Sequence, residues 1–146
     1  MLKDILSISG YGGLYKFISQ GRTGIIVESL DDQKRMNVSA TAKISALEDI
    51  AIFTETEDKP LNDVFKAIYE KESGGQSINH KSASDELKSY FEQVLPDYDR
   101  ERVYVSDMKK VINWYNLLQS KNLLDFTEEE DEKVDEEKKS ENKEDK

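Results

Sequence analysis

Residues 10–54 carry an alternation of apolar and polar positions that is typical of short β-strands. Within residues 14–19, Tyr15 and Phe17 fall on one face, where we expect them to be core residues rather than peptide contacts. A turn with two glycines follows, and residues 24–30 are then rich in β-branched side chains. The two segments together predict a β-hairpin.

Two further strands are predicted in the same region. Residues 35–40 alternate with one apolar and one polar face, as in a strand with one side in water. Ser45 and Glu48 have the spacing of a capping box, which predicts one helical turn before a last strand at residues 49–54. Short antiparallel strands with a helical turn before the last one predict a small barrel of the SH3-like or Tudor-like kind.

Three amphipathic helices are predicted after the strands. Apolar residues recur at helical spacing over residues 61–69, after Pro60, and over residues 87–95. A third helix is predicted after a cap at Ser106 and Asp107. Its apolar arc is wider and includes Trp114, so we expect this helix to contact its sister helices and either the barrel or another subunit.

The acidity of the chain is concentrated at its C-terminal end. The net charge is −10, and residues 127–146 hold eleven acidic and five basic residues with Val134 as the one sizeable apolar side chain. Such a segment cannot offset its ordering entropy by burial. The predicted organisation is therefore α+β, with a barrel module at residues 1–56, a three-helix module at 57–126 and a disordered acidic tail at 127–146.

Composition restricts the setting of the protein. There is no cysteine, which excludes disulfides and thiolate metal sites and fits a reducing compartment. The first nine residues are too short and polar for a signal peptide, and no apolar run approaches the roughly 20 residues of a membrane span. We therefore expect a cytoplasmic protein without membrane contact.

Several short segments carry a resemblance to a known family. They are residues 9–10, 13–16, 27–30, 47–53 and 114–115. In these segments the chain resembles an uncharacterised family of small acidic bacterial proteins, largely from Bacteroidetes. The resemblance implies a cytoplasmic bacterial setting and a β module followed by a helical one. It implies no activity and no functional residues.

No arrangement of residues demands catalysis. Residues 10–13 begin like a dinucleotide fingerprint, but the third glycine is missing and a strand follows instead of a helix. His80 is the sole histidine, and acidic pairs such as Asp31 with Asp32 lack the ligand spacing of a calcium loop. We therefore expect no enzyme activity, no cofactor and no metal.

The leading hypothesis is a non-catalytic adaptor that binds a partner protein through the barrel or the helical face. Its candidate binding surface consists of Tyr11, Arg22, Lys34, Arg35 and Trp114. The alternative is a protein that binds RNA or DNA, because basic residues occur in the barrel, including Lys16 and Lys43, and near the third helix, including Arg100, Arg102, Lys109 and Lys110. A homodimer built on the Trp114 face is compatible with either hypothesis.

The acidic tail has two interpretations. It provides solubility, or it occupies a basic surface of the protein until a partner displaces it, as the nucleic-acid hypothesis requires. Both remain open from the sequence, although charge runs of this kind are usually solvated.

Overall fold

A five-stranded antiparallel sheet forms the N-terminal part of the computed structural model, which describes residues 2–124. Its strands are β1 (Ile5–Ile8), β2 (Tyr15–Gln20), β3 (Gly24–Ser29), β4 (Arg35–Ser39) and β5 (Ile44–Ala46). The order across the sheet is β4-β3-β2-β1-β5, so the fifth strand returns to lie beside the first.

A short helical turn and three helices complete the described chain. A 3₁₀ turn at Leu47–Asp49 leads into a two-stranded ribbon of β6 (Ala51–Ile52) and β7 (Lys59–Pro60). The helices are α1 (Leu61–Lys71), α2 (Ser84–Val94) and α3 (Val105–Ser120). All three predicted helices are confirmed, because each has an apolar stripe that is buried in the core.

The side chains of the sheet enter two separate hydrophobic clusters. Alternate residues of the strands form a small cluster on one face, whose buried members are Leu6, Ile8, Tyr15, Val27 and Val38. Phe17 packs against this cluster, so Tyr15 and Phe17 are core residues as expected. The other face contributes Ile5 to the larger cluster, which also contains the apolar stripes of the helices.

The larger cluster joins the two predicted modules. Leu14, Leu30 and Leu47 from residues 1–56 are buried in it together with residues of all three helices. Lys121, the residue after α3, also donates a hydrogen bond of 3.1 Å to the carbonyl oxygen of Asp31, which lies in the turn between β3 and β4. The buried apolar side chains of α3 therefore belong to the same cluster as those of the N-terminal part and of the other two helices. The exact module boundary stays a prediction.

The α+β class is confirmed, but the barrel is not. Strands β1 to β5 form an open sheet, because β4 and β5 lie at its two ends and do not pair with each other. The predicted last strand at residues 49–54 is confirmed in part, since Ala51–Ile52 pairs with β7 and Thr54 forms an isolated antiparallel bridge with Tyr98, but neither joins the five-stranded sheet. The helical turn before it is confirmed, although Ser45 lies in β5 and does not cap it.

Two other expectations concern strand number and the tail. The sequence prediction did not include β1, which pairs with both β2 and β5. The acidic tail at 127–146 lies outside the residues that the structure describes.

Candidate functional site

An open groove of about 410 Å³ runs between the sheet, the β6–β7 ribbon and the first half of α3. Apolar side chains from the ribbon, from the segment before α3 and from α3 itself lie along it: Ile50, Ile52, Phe53, Val103, Val111 and Trp114. Basic side chains from three different elements of the chain line the same space, namely Lys43, Arg102 and Lys110.

The pairing of β1 with β5 explains the open space on the sheet side. Ser7 lies opposite Ser45, and the Ser9 N–H donates a hydrogen bond of 2.9 Å to the carbonyl oxygen of Lys43. Because side chains alternate along a strand, these four residues share one face. Three of them are serines, whose small side chains leave room that larger residues would fill.

Helix α3 presents the other wall. Asp107 accepts a hydrogen bond of 3.0 Å from the Tyr104 N–H, which fixes the first turn of the helix. Lys110 and Trp114 are four residues apart and therefore lie on one face, one turn after the other. The helix begins at Val105, so the predicted cap residue Ser106 is already inside it.

A second, adjoining pocket of about 320 Å³ continues the groove towards the glycine-rich turn before β2. It shares Ser7, Ser9, Lys110 and Trp114 with the first pocket and adds Tyr11, His80 and Lys109. Tyr11 is 50% exposed, and its ring meets the ring of Tyr15 edge to face at 6.4 Å. We call the two pockets together the α3 groove.

The connection between α1 and α2 brings His80 to this groove. Asn116 of α3 holds that connection, because its Oδ1 accepts a hydrogen bond of 2.8 Å from the Ser77 N–H and its Nδ2 donates one of 3.0 Å to the Ile78 carbonyl. The Tyr115 hydroxyl donates another, of 2.8 Å, to the Gly75 carbonyl. The sequence prediction left His80 out of the binding surface, since no local signal connects residues about 40 positions apart.

The α3 groove is positively charged although the protein is acidic. Four cations line it, Lys43, Arg102, Lys109 and Lys110, with Asp107 as the one carboxylate among the described lining residues. Residues 2–124 together hold 16 basic and 19 acidic residues, a net charge of −3. The positive charge is therefore a local property of this surface.

Of the four cations, Arg102 is paired with an acidic residue, whereas the three lysines have no such partner within residues 2–124. Arg102 forms an ion pair of 2.8 Å with Asp99 and lies over the ring of Phe53 at 4.2 Å. The hydrogen bond from Arg102 is the main reason why the pKa of Asp99 lies below its ordinary value. Lys43, Lys109 and Lys110 make no ion pair and no side-chain hydrogen bond within residues 2–124. These three lysines are available to an anionic ligand.

The structure brings together two of the five predicted site residues. Tyr11 and Trp114 both line the α3 groove, although Trp114 is only 9% exposed. The others, Arg22, Lys34 and Arg35, lie in or beside the two turns that flank β3.

These two turns are at opposite ends of the β3–β4 hairpin. Gly24 pairs with Ser39 near one end and Glu28 pairs with Arg35 near the other, which separates the ends by roughly 13 Å. Arg35 also forms an ion pair of 3.7 Å with Glu28. Arg22 is therefore separated from Arg35 along the hairpin, and none of Arg22, Lys34 and Arg35 lines the α3 groove.

The groove is suited to binding an anion that also has an apolar part.

Within the described chain there is no group of three or more histidine, cysteine or acidic residues with the geometry of a metal site. Among residues 2–124, no helix has both the length and the apolarity to cross a bilayer.

Comparison with known proteins shows two matching domain families and a similar solved structure. Residues 2–47 match the model of a domain of unknown function, DUF5606, and residues 50–118 match that of another, DUF6852. A solution NMR structure of a Bacteroides vulgatus protein, from a structural genomics consortium, is 48% identical with a TM-score of 0.74. That alignment covers 86% of this chain and 91% of the other. The chain belongs to the same family.

The predicted resemblance to an uncharacterised family with members in Bacteroidetes is thereby confirmed. A search of curated proteins found no match. The two matched domains meet between residues 47 and 50, and the α3 groove is lined by both of them. Ser7, Lys43 and Ser45 come from the first domain, and Val103, Lys110 and Trp114 from the second. Ligand sites are common at such junctions.

Proposed function

We propose that this protein is a non-catalytic adaptor that binds an acidic, partly apolar segment of a partner protein in the α3 groove. The observation that carries the proposal is the convergence of Lys43, Lys109 and Lys110, unpaired within residues 2–124, around the apolar wall that contains Trp114. Although the chain has a net charge of −10, this surface is positively charged and therefore favours negatively charged ligands.

The apolar wall favours a peptide over a simple anion. The larger pocket, at about 410 Å³, is within the size range of ligand sites, and the half-buried Ile50 and the exposed Phe53 supply apolar surface for side chains to cover. Trp114 belongs to the residue types that most often contribute strongly to binding energy. We therefore expect apolar side chains of the partner to enter the groove while neighbouring carboxylates meet the lysines.

The edge of the sheet favours an extended partner segment. Ser9 and Lys43 form a hydrogen-bonded pair, so alternation makes Ser7 and Ser45 the next such pair. The backbone groups of Ile44 and Ala46 then point away from β1, towards the free edge of β5. Strand addition at this edge would supply main-chain hydrogen bonds beside the groove.

The connectivity of the sheet supports a relation to small barrels. Four strands follow one another as a meander, and the fifth returns beside the first. We propose that the sheet is an open relative of the SH3-like barrels and that the protein acts in the cytoplasm, consistent with its lack of cysteine. A second copy of this chain is the alternative occupant of the α3 groove, and its binding there would make the protein a homodimer.

Nucleic-acid binding is the second candidate, favoured by the exposed Tyr11 ring beside Lys109 in one pocket. Three observations make it weaker. Trp114, at 9% exposure, offers little ring surface for a base, and neither Arg22 nor Arg35 lines the groove. The net charge of −3 over residues 2–124 also opposes a polyanion.

Trp114 provides the test, because it is the sole tryptophan of the chain. The full chain is titrated with a short synthetic peptide of alternating glutamate and leucine, and tryptophan emission is recorded. We expect a saturable change that weakens as salt is added, and its loss in the double variant Lys43→Glu, Lys110→Glu. The control variant Lys34→Glu, in the β3–β4 turn, should bind as the parent does.

Three results would contradict the proposal. They are no response to the peptide, an equal loss of response in Lys34→Glu, and an equal response to a peptide of alternating lysine and leucine. Tighter binding of a single-stranded oligonucleotide than of the acidic peptide would favour the nucleic-acid function instead.

A further inference from the structure

We infer that the acidic C-terminal segment of this chain, residues 125–146, occupies the α3 groove in the free protein and competes with the partner. This inference rests on the proposed function and adds its regulation. The occupant is thus a segment of the same molecule, whose negative charge matches that expected of the partner.

Charge complementarity is the first argument. Residues 125–146 hold twelve acidic and five basic residues, a net charge of −7, and residues 128–132 are five consecutive acids. Lys43, Lys109 and Lys110 have no anionic partner within residues 2–124. The most acidic part of the chain and a group of unneutralised lysines therefore belong to one molecule.

The position where the described chain ends supplies the second argument. Helix α3 ends at Ser120, and Leu124 is buried in the larger core, so the acidic segment starts from a fixed point near that helix end. Lys110 lies ten residues before Ser120, about 15 Å along the helix axis. The 22 residues of the segment can span roughly 70 Å when extended, so the groove is within reach.

Tethering makes even a weak contact effective. A segment joined to its site by a short linker acts at an effective concentration in the millimolar range. A partner must then displace the segment, and its apparent affinity is lowered by the fraction of molecules in which the groove is filled.

A second basic surface of the protein is a competing site for the acidic segment. Lys3, Lys16 and Lys121 line a groove of about 390 Å³, which we call the Lys16 groove, and Leu123 lines it too. Glu28 is part of its lining, and Lys121 is already bonded to the Asp31 carbonyl. Among the described residues, aromatic side chains are absent from the lining of this groove, whereas Tyr11, Phe53 and Trp114 line the α3 groove, so we assign the acidic segment to the α3 groove.

The composition of the chain allows a direct test in the full-length protein. Since there is no cysteine and one tryptophan, Ser140→Cys gives a unique thiol for a nitroxide label, and Trp114 emission reports whether the label is near the groove. We expect quenching at low salt that is relieved at high salt. The added substitutions Lys43→Glu and Lys110→Glu should relieve it as well, whereas Lys3→Glu and Lys16→Glu should not.

A second measurement gives the effect on binding. Glutamine replaces glutamate at 128, 129, 130 and 132 in the full chain, and the affinity for the glutamate-leucine peptide is measured by Trp114 emission. Competition predicts a gain of about tenfold. Unchanged affinity would overturn the inference.

The outcomes separate the inference from the proposed function. Quenching that is insensitive to salt and to the α3 groove substitutions overturns the inference, as does relief by the Lys16 groove substitutions. If the peptide still binds saturably in that case, the proposed function stands. If neither the peptide nor the label responds to Lys43→Glu, Lys110→Glu, both fail.

Discussion

Gly24 is the residue at which the sheet tolerates no side chain. It pairs with Ser39 of β4, and a Cβ atom at this position would lie 1.8 Å from the carbonyl oxygen of Val38. Since the obstacle is backbone, relief requires the strands to move apart. We expect Gly24→Ala to lower the free energy of unfolding by about 2 kcal/mol, measured by chemical denaturation.

Gly21 is the matched control for this prediction. A Cβ there would meet nothing closer than the Gly24 carbonyl oxygen at 3.6 Å, an ordinary contact. Gly21→Ala should therefore leave the free energy of unfolding within about 0.5 kcal/mol of the parent. Equal stability of the two variants would mean that β3 and β4 are paired differently.

Tyr115 and Tyr90 link stability to alkaline pH. Burial raises the pKa of Tyr115 to about 12, and burial together with a hydrogen bond to Glu72 raises the pKa of Tyr90 above its ordinary value. At alkaline pH the folded state therefore keeps the hydroxyl protons of Tyr115 and Tyr90, whereas the unfolded chain loses them. Their contribution to stability is complete below about pH 10 and is lost as the pH rises towards 12.

The variant Tyr115→Phe tests the predicted loss of stability at alkaline pH. Removing the hydroxyl leaves the Gly75 carbonyl without its hydrogen bond, so we expect a loss of about 1 kcal/mol at neutral pH. The decrease of stability between pH 10 and 12 should become less steep, as measured by urea denaturation at several pH values. Tyr11→Phe, at an exposed ring, is the control. A parallel pH profile in Tyr115→Phe would contradict the assignment.

At the scale of elements, Asn116 decides where the α1–α2 connection lies. Its amide makes hydrogen bonds to the backbone of Ser77 and Ile78, and it also accepts one from the Ser77 hydroxyl at 2.8 Å. Asn116→Ala should destabilise the protein by about 2 kcal/mol and speed amide exchange over residues 75–80.

Asn113 is the control for this element, because it lies one turn earlier on α3 and makes no side-chain hydrogen bond within residues 2–124. Asn113→Ala should leave both stability and exchange near those of the parent. Unchanged exchange over residues 75–80 in Asn116→Ala would show that the connection is held by other contacts.

The helices were predictable from the sequence and the sheet was only partly so. Each helix buries a stripe of four or more residues, which gives a long periodic signal. The strand β1 has four residues, and the alternation of Leu6 and Ile8 with Ser7 and Ser9 was a signal that could have predicted it. Its position between β2 and β5 depends on pairing with residues about 40 positions away, which local patterns do not specify.

At the scale of the whole molecule, the groove depends on how the two family domains meet. The sequence supplied Tyr11, Trp114 and the basic residues, but not their convergence, because Lys43 and Lys110 are 67 positions apart. The same limit applies to His80, which lies beside α3 because Tyr115 and Asn116 of that helix bond to the α1–α2 connection. Arg22 and Arg35 had equally suitable charges, yet neither of them lines the groove.

The most direct test of the α3 groove is an NMR titration of the ¹⁵N-labelled full chain with the glutamate-leucine peptide. We predict that shift changes concentrate at Ser7, Lys43, Lys110 and the Trp114 indole N–H. The turns that contain Arg22 and Lys34 should stay unchanged. Shift changes centred on those turns, with the Trp114 indole unaffected, would contradict the assignment of the α3 groove as the binding site.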